Sequence, residues 1–133
     1  MKWYRKAAQR GDLSAQVALG LIYGTGCDVP QNYYQAVKWY QLAAEQGNAL
    51  AQNNLGLIYA GGYDVVLKDD VQALVWFTLA AEGGNDDARK NREAFISHMS
   101  PDQVEQAEKL TQNWMAAQAQ EKAAKCLMQA TTC

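Results

Sequence analysis

The sequence predicts an all-α protein built from stacked pairs of antiparallel helices. An aromatic pair, an alanine pair and a glycine recur in the same order three times, at spacings of 36 and 37 residues. These positions are Trp3-Tyr4, Ala7-Ala8 and Gly11, then Trp39-Tyr40, Ala43-Ala44 and Gly47, then Trp76-Phe77, Ala80-Ala81 and Gly84. A repeat of this length is typical of helical solenoids, in which one helix pair cannot bury its apolar face alone and therefore stacks on its neighbours.

The first helix of each pair is predicted at residues 13–24, 49–60 and 86–98. A short polar residue stands before each segment, where its side chain can accept hydrogen bonds from the free amides of the first turn. These residues are Asp12, Asn48 and Asn85. All three first helices therefore have a predicted start.

The second helix of each pair is predicted at residues 33–46 and 70–82. Both segments begin with the spacing of a capping box, in which two side chains satisfy each other's backbone amides. The pairs are Asn32 with Gln35 and Asp69 with Gln72. Gly47 and Gly83-Gly84 are predicted to end these helices in turns with positive φ.

Small and large residues are expected to share the packing between neighbouring helices. Gly20 and Gly56 permit the close approach of a neighbouring helix, and large side chains then fill the remaining volume. The expected core positions of this kind are Trp39, Trp76, Tyr23, Tyr59, Leu42 and Leu79.

A different helix is predicted after Met99, where the repeat ends. The residues at 100–103, Ser-Pro-Asp-Gln, combine a cap, a proline at the first helical position and a glutamine at the third. Apolar residues then recur at helical spacing, with Trp114 as the expected anchor. The predicted organisation is a repeat region at 1–99 (a partial unit, two full units and a degenerate third), a capping helix at 100–128 and a tail at 129–133.

The composition excludes several classes of protein. A formal net charge of −2 provides no basic surface for the phosphates of a nucleic acid. No run approaches the ~18 apolar residues of a membrane-spanning helix, so membrane insertion is not expected. One histidine and three scattered cysteines do not have the spacing of a zinc site, and we expect no metal and no cofactor.

The cysteines and the first residues bear on the cellular compartment. Cys27, Cys126 and Cys133 include no close-spaced pair, which favours reduced thiols in the cytoplasm. A bridge between Cys126 and Cys133 is the alternative. The sequence as written shows no signal peptide and predicts a cytoplasmic protein, whereas a leader before it would make a periplasmic or secreted location the alternative.

The sequence offers little support for an enzyme. None of the three serines is followed by lysine three residues later, as serine acylation of the β-lactamase type requires. A Ser-His-Asp arrangement would need His98, which stands beside Ser97, and adjacent helical positions do not face each other. Asp69-Asp70 and Asp86-Asp87 stand at helix starts, where carboxylates stabilise the helix dipole. We therefore predict no catalytic residue, and a β-lactamase-like hydrolase is disfavoured.

The repeated motifs resemble the Sel-one-like repeat, a relative of the tetratricopeptide repeat. The resemblance rests on Ala-Gln-x-x-Leu-Gly-Leu-Ile-Tyr at 51–59 and Ala-Val-Lys-Trp-Tyr-x-x-Ala-Ala-Glu-Gln-Gly-Asn at 36–48, and it covers about residues 1–98. It implies a right-handed α-α superhelical solenoid with a C-terminal capping helix. It also implies a bacterial adaptor that binds a protein or peptide and catalyses no reaction. The chain lacks the cysteine pair in each repeat of the β-lactamase-like members, which disfavours that branch.

The resemblance further implies a partner-binding groove lined by the first helix of each pair. The candidate contacts, aligned on the Leu-Gly positions, are Val17, Leu21, Asn53, Asn54, Leu57, Lys90 and Asn91. Asn54 and Asn91 stand where related solenoids hold a peptide backbone with asparagine, and Lys90 adds positive charge. An extended peptide or a C-terminal carboxylate fits such a groove. The alternative is that these asparagines bridge neighbouring helices.

Two other roles remain open from the sequence. Trp3 and Tyr4 lie on the partial first unit, where exposed aromatic side chains favour a homodimer or another self-associating structural subunit. An exported or host-directed interaction protein is the second alternative.

Overall fold

The computed structural model describes residues 2–26, 29–62 and 68–131, which form seven α-helices. The helices are α1 (Lys2–Gln9), α2 (Leu13–Thr25), α3 (Tyr33–Glu45), α4 (Ala49–Gly61), α5 (Asp70–Glu82), α6 (Asp86–Ile96) and α7 (Pro101–Thr131). No β-strand occurs within these residues. Consecutive helices from α1 to α6 pack against each other, and α7 packs on α5. The predicted α-α solenoid with a terminal helix is confirmed.

A single residue closes each second helix and opens the first helix that follows. These residues are Asp12, Asn48 and Asn85, whose backbone amides lie 3.0, 3.2 and 3.0 Å from the carbonyl oxygens of Ala7, Ala43 and Ala80. Each of the three side chains accepts a hydrogen bond of 2.8 Å from the amide three residues later. We call each such turn a joint, and the predicted caps of the first helices are confirmed.

The glycine within each joint has the left-handed conformation. Gly11, Gly47 and Gly84 have φ values of 95, 90 and 94°, which glycine adopts without the steric cost of a Cβ atom. Gly83 has a φ of −79°. The prediction of positive φ is therefore right for Gly84 and wrong for Gly83, because one left-handed residue is sufficient to reverse the chain.

Two of the three joints carry a buried glutamine brace. Gln16 and Gln52 are each 3% exposed. Their Nε2 atoms donate to the carbonyl oxygens of Ala8 and Ala44 at 3.1 and 3.0 Å. Carbonyls at a helix C-terminus lack an intrahelical partner, so the glutamines tie the end of one helix to the next. The equivalent residue at the α5–α6 joint is Arg89.

The predicted starts of the remaining helices are also confirmed. Asn32 and Asp69 accept hydrogen bonds of 3.1 Å from the backbone amides of residues 35 and 72. The reciprocal half of these two predicted capping boxes is wrong, because the backbone amides of Asn32 and Asp69 donate to the carbonyl oxygens of Tyr23 and Tyr59 at 2.8 and 2.9 Å. Ser100 and Gln103 form the reciprocal capping box at the start of α7. The Gln103 amide donates to Ser100 Oγ at 3.2 Å, and the Ser100 amide donates to Gln103 Oε1 at 3.1 Å.

Gly20 and Gly56 lie against aromatic rings on the helix that follows. A Cβ atom on Gly20 would lie 2.5 Å from the ring of Tyr40, and a Cβ on Gly56 would lie 2.6 Å from the ring of Phe77. These distances are far below van der Waals contact, so no other residue fits without displacing a buried ring. The predicted close approach at both glycines is confirmed, and the second aromatic residue of each pair requires it.

The terminal helix α7 packs on α5 through a short apolar segment. Trp114 contacts Trp76 edge to face, with ring centroids 6.0 Å apart and an interplanar angle of 72°. Ala107 and Thr111 of the same helix are buried. The helix continues to Thr131, so the first three residues of the predicted tail are helical, and residues 132–133 lie outside the described chain. The division into repeat region, capping helix and tail stays a prediction.

Most of the expected large core residues are buried, with one exception. Trp39, Trp76 and Leu79 are at most 6% exposed, and two tyrosines, Tyr23 and Tyr59, pack partly buried against the core. Leu42 is 39% exposed, so its assignment to the core is wrong. The reason is that α7 packs on α5, which contains Leu79, and does not extend the same cover to α3.

The predicted alternatives for the cysteines involve residues outside the described chain. Cys126 is exposed on α7. Cys27 and Cys133 lie outside the described residues. The bridge between Cys126 and Cys133 therefore stays a prediction.

Candidate functional site

The first helices bring two cavities to the same place in successive repeats. The first cavity has a volume of about 240 Å³ and is lined by Leu21, Gly24, Thr25, Tyr33, Tyr40, Asn54, Leu57 and Ile58. The second cavity has a volume of about 570 Å³ and is lined by Leu57, Ala60, Lys68, Asp70, Phe77, Asn91, Ala94, Phe95, His98 and Met99. Because Leu57 lines both, the cavities adjoin along one surface.

Equivalent positions of the repeat build the two cavities. The residues Leu21, Tyr40 and Asn54 of the first correspond to Leu57, Phe77 and Asn91 of the second. Each cavity thus has a leucine, an aromatic ring and an asparagine. The sequence repeat therefore produces a repeated surface as well as a repeated core.

Two replacements distinguish the second cavity from the first. Ala94 stands where the first cavity has Leu57, and Asp70 stands where it has Tyr33. Both side chains are smaller than those they replace, in keeping with the larger volume. Asp70, Lys68 and His98 also make one wall of the second cavity polar.

Asn54 connects α4 to α3 in the first cavity. Its side chain forms a hydrogen bond with the phenol of Tyr40, which is 4% exposed. Burial raises the pKa of Tyr40 to about 12, and the hydrogen bond with Asn54 opposes part of that rise because it favours the phenolate. Burial raises the pKa of Tyr59 as well, and the nearby carboxylate of Asp69 adds to the rise.

Asn91 has a different partner in the second cavity. Phe77 has no hydroxyl group to replace that of Tyr40, and Asn91 Nδ2 donates to Asn53 Oδ1 at 3.0 Å. This bond connects α6 to α4. Each asparagine thus links neighbouring helices at the edge of a cavity.

The structure brings four of the seven candidate contacts to these cavities, namely Leu21, Asn54, Leu57 and Asn91. Asn53 is 6% exposed and accepts the hydrogen bond from Asn91. In this structure it bridges α4 and α6, and its assignment as a partner contact stays a prediction. Val17 packs against the core, and Lys90 is exposed outside both linings.

Sequence reasoning missed most of the cavity lining, including three residues that distinguish its walls. Tyr40 and Phe77 provide the aromatic wall of each cavity, and Asp70 was interpreted as a stabiliser of the helix dipole. The recurring aromatic pair was the available signal. Its first member fills the core, and its second member faces the glycine of the first helix and borders the cavity.

The N-terminal edge carries a third cavity and the most exposed aromatic residue of the described part of the chain. The side chain of Trp3 is 87% exposed and that of Tyr4 is 47% exposed. With Lys6, Ala7 and Arg10, Trp3 lines a cavity of about 420 Å³. Trp39 and Trp76, at the equivalent positions, are buried in the core clusters.

Ser97 and His98 are in contact, contrary to the expectation for adjacent helical residues. Ser97 Oγ lies 2.9 Å from His98 Nδ1, and both groups also lie within hydrogen-bond distance of the Ala94 carbonyl oxygen, at 2.6 and 3.0 Å. The expectation is wrong because α6 ends at Ile96, and the two residues follow the helix. Both side chains satisfy a free carbonyl at the end of α6.

The described residues contain no cluster of three or more side chains suited to holding a metal ion. Among the helices that the structure describes, each is too short or too polar to cross a lipid bilayer.

Comparisons with known proteins agree with this architecture. The family model described as Sel1 repeat matches residues 1–12, 13–48 and 49–85. No curated protein matches the chain. One similar crystal structure is a protective antigen present in uropathogenic Escherichia coli strains that displays an SLR fold. It is 36% identical with a TM-score of 0.83, and the match covers 96% of this chain and 27% of that one.

A second similar structure is a Sel1 repeat protein from Oxalobacter formigenes. It is 39% identical with a TM-score of 0.66, and the match covers 71% of this chain and 38% of that one. This chain therefore spans less than half the length of either protein.

Proposed function

This chain belongs to the Sel1 repeat family, and we propose that it binds an extended segment of a partner protein along the two adjoining cavities, without catalysing a reaction. The Sel1 repeat fold is generally a scaffold for protein–protein interaction, and its members are typically non-catalytic. The proposal assigns the binding surface of this chain to the cavity-lining faces of α2, α4 and α6.

The continuity of the two cavities carries the proposal. Leu21 and Leu57 are 42% and 45% exposed on one surface. An exposed leucine side chain does not gain the free energy that its burial would provide. When an extended peptide binds, its successive side chains cover such leucines, and its backbone forms hydrogen bonds with polar groups at the edge of the cavities. Leu57 belongs to both cavities and is therefore the central contact.

The two asparagines support the same arrangement. A carboxamide has two donor hydrogens and one acceptor oxygen. Asn91 uses one donor for Asn53, so the remaining groups can bind a peptide backbone while the side chain stays fixed. An asparagine that is already held between two helices loses little rotational freedom when a partner binds.

The test compares two leucines on the same helix. Peptides selected from a random display library on the wild-type chain are measured by calorimetry against Leu57→Glu and Leu50→Glu. Both leucines are 45% exposed on α4, and Leu50 lines neither cavity. We expect Leu57→Glu to weaken binding at least tenfold and Leu50→Glu to leave it unchanged. Equal affinities for all three chains would reject the assignment.

Self-association through the N-terminal edge is the second candidate function. The exposure of Trp3, at a position that is buried in both later repeats, favours it. Sedimentation velocity over a wide concentration range tests it, with Trp3→Ala as the variant. A chain that sediments as a monomer at millimolar concentration would exclude a homodimer at this edge.

A further inference from the structure

The N-terminal edge carries a positive charge that the rest of the chain does not share. The first ten residues contain four cations (Lys2, Arg5, Lys6 and Arg10) and no acid. The remaining residues contain eight cations and fourteen acids. The formal net charge of −2 thus combines a basic edge with an otherwise acidic chain.

Two of these cations line the cavity at the N-terminal edge. Lys6 and Arg10 border this cavity of about 420 Å³ together with Trp3 and Ala7. The Arg10 amide donates to the Lys6 carbonyl oxygen at 3.2 Å, so Arg10 continues the last turn of α1, and the four residues share one face at helical spacing. Lys6 and Arg10 are exposed, and neither forms an ion pair with a described residue. The face therefore combines an uncovered aromatic ring with two cations that lack a partner in the described chain.

The equivalent face of α5 is covered, and a helix contributes to the cover. Trp76 and Leu79 occupy on α5 the positions that Trp3 and Lys6 occupy on α1. Both are 5% exposed, whereas Trp3 is 87% exposed. The ring of Trp114 on α7 lies edge to face against that of Trp76. This position of the repeat is therefore suited to a packed helix, and the replacement of leucine by Lys6 changes the required neighbour from an apolar group to a negative one.

We propose that the N-terminal edge binds an acidic amphipathic helix of a partner protein. An apolar side chain of that helix covers the ring of Trp3, and two carboxylates one helical turn apart pair with Lys6 and Arg10. The spacings match, because side chains four residues apart on any α-helix lie about 5 to 6 Å from each other. This surface lies apart from the two cavities of the proposed function, whose described linings include no residue of α1.

The charges disfavour two other occupants of this edge. A second copy that joined edge to edge would bring the same cations together, and like charges repel each other. A nucleic acid or an anionic membrane would extend beyond α1, where acids outnumber cations and repel a large polyanion. A short acidic helix contacts only the basic edge and avoids both penalties.

The test titrates the intact chain with three fluorescently labelled helical peptides, followed by anisotropy. The first peptide has a leucine face flanked by glutamates four residues apart, the second has glutamine at each of these glutamates, and the third has lysine. We expect the glutamate peptide to bind about tenfold more tightly than the glutamine peptide, the factor expected for two exposed ion pairs. High salt should remove most of this difference, because it screens exposed charges. Amide chemical shifts in NMR should place the bound peptide on α1.

A charge reversal and a matched control sharpen the result. Lys6→Glu combined with Arg10→Glu should abolish the preference for the glutamate peptide and create one for the lysine peptide. Lys90→Glu combined with Lys122→Glu is the control, since it changes the net charge equally at two exposed cations outside the described lining of this cavity. Trp3→Ala should weaken the glutamate and glutamine peptides alike, because both use the apolar contact. If a variant fails to fold, the comparison of these two peptides on the wild-type chain still decides.

Several outcomes overturn the inference. Equal affinity for the glutamate and glutamine peptides, or NMR shifts confined to α4 and α6, would reject an acidic helix at this edge. Tighter binding of oligouridine or of phosphatidylserine vesicles to α1 would show a general polyanion surface instead. A wild-type dimer that Trp3→Ala dissociates would make a second copy the occupant. Leu57→Glu should leave the glutamate peptide unaffected, so this inference and the proposed function fail separately.

Discussion

Helices α3 and α5 occupy the same place in successive repeats, yet one face of each differs in burial. On α3 this face consists of Tyr34, Lys38 and Leu42, which are all exposed, with Leu42 at 39%. On α5 the equivalent residues are Val71, Val75 and Leu79. Val75 and Leu79 are each 5% exposed, and they belong to the same core cluster as Ala107 of α7.

The difference shows that the repeat fixes the backbone but not the burial of this face. The first aromatic residue of each pair is buried in both helices, with Trp39 6% and Trp76 5% exposed, but its contacts differ. Trp76 is covered by the ring of Trp114, whereas Trp39 has the ammonium group of Lys38 at 5.5 Å from its ring centroid. The ammonium group over Trp39 makes a cation–π contact where Trp76 has an aromatic one. The neighbour of a helix pair therefore decides whether its outer residues belong to the core.

The largest change in the free energy of unfolding is expected when the central residues of the two faces, Val75 and Lys38, are each replaced by the other. Val75→Lys places an ammonium group beneath α7, and we expect a loss of about 3 kcal/mol or more in the free energy of unfolding, because the charge has no partner there. Lys38→Val on the exposed face should change it by less than about 0.5 kcal/mol. Urea unfolding measures both. Similar losses would show that α7 does not bury this face.

Truncation of the equivalent leucines sharpens the same comparison. Leu79→Ala removes a buried side chain and should cost about 2 to 5 kcal/mol, the range for truncation of a buried leucine to alanine. Leu42→Ala should cost less than about 1 kcal/mol, because much of this side chain is already in water. Thermal unfolding of the two variants, under identical conditions, provides the measurement. Equal costs would contradict the difference in burial.

The glycines test what the two repeats share. Gly20→Ala and Gly56→Ala each place a Cβ atom against a buried ring, and we expect similar losses of about 1 to 3 kcal/mol from overpacking. Gly24→Ala is the control in the same helix as Gly20. A Cβ atom there comes no closer than 3.8 Å to a neighbour, so this variant should be stabilised by up to about 1 kcal/mol. A stabilised Gly20→Ala would show that the ring of Tyr40 moves freely.

The smallest effect at neutral pH concerns the hydroxyl that distinguishes Tyr40 from Phe77. Burial raises the pKa of Tyr40 to about 12 from its ordinary 10.0, so the folded state holds a proton that the unfolded state releases first. Stability is therefore complete below pH 10 and falls as the pH rises from 10 to 12. Tyr40→Phe should lose less stability over this interval than the wild type. Parallel pH profiles of the two chains would contradict the assignment.

The sequence was sufficient for the helices and their turns because these depend on local chemistry. Asp12, Asn48 and Asn85 cap helices through their own side chains and adjacent amides, and the serine and glutamine at the start of α7 do the same. Leu42 was misjudged because burial at its position depends on α7, which begins some sixty residues later and covers α5 but not α3. The local sign of this cover is the apolar Val75 on α5, at the position where α3 has Lys38.

The candidate site was predictable only in part, for a related reason. The repeat pattern identified the helices that line the cavities and the exposed leucines among them. It could not show that Asn53 is buried, since Asn53 and Asn54 are identical neighbours and the burial of the first comes with its contact to Asn91 of α6. It also could not place Asp70 in the lining of the second cavity, because that position depends on how α4, α5 and α6 pack together.

The missing glutamine brace at the α5–α6 joint has a consequence for motion. Gln16 and Gln52 hold the first two joints from within, while Arg89 at the third pairs with Asp86 on the surface. Local opening begins where the fewest buried contacts must break. Amide hydrogens of α6 should thus exchange with solvent before those of α2 and α4. We therefore expect the second cavity, which α6 lines, to open to solvent more often than the first.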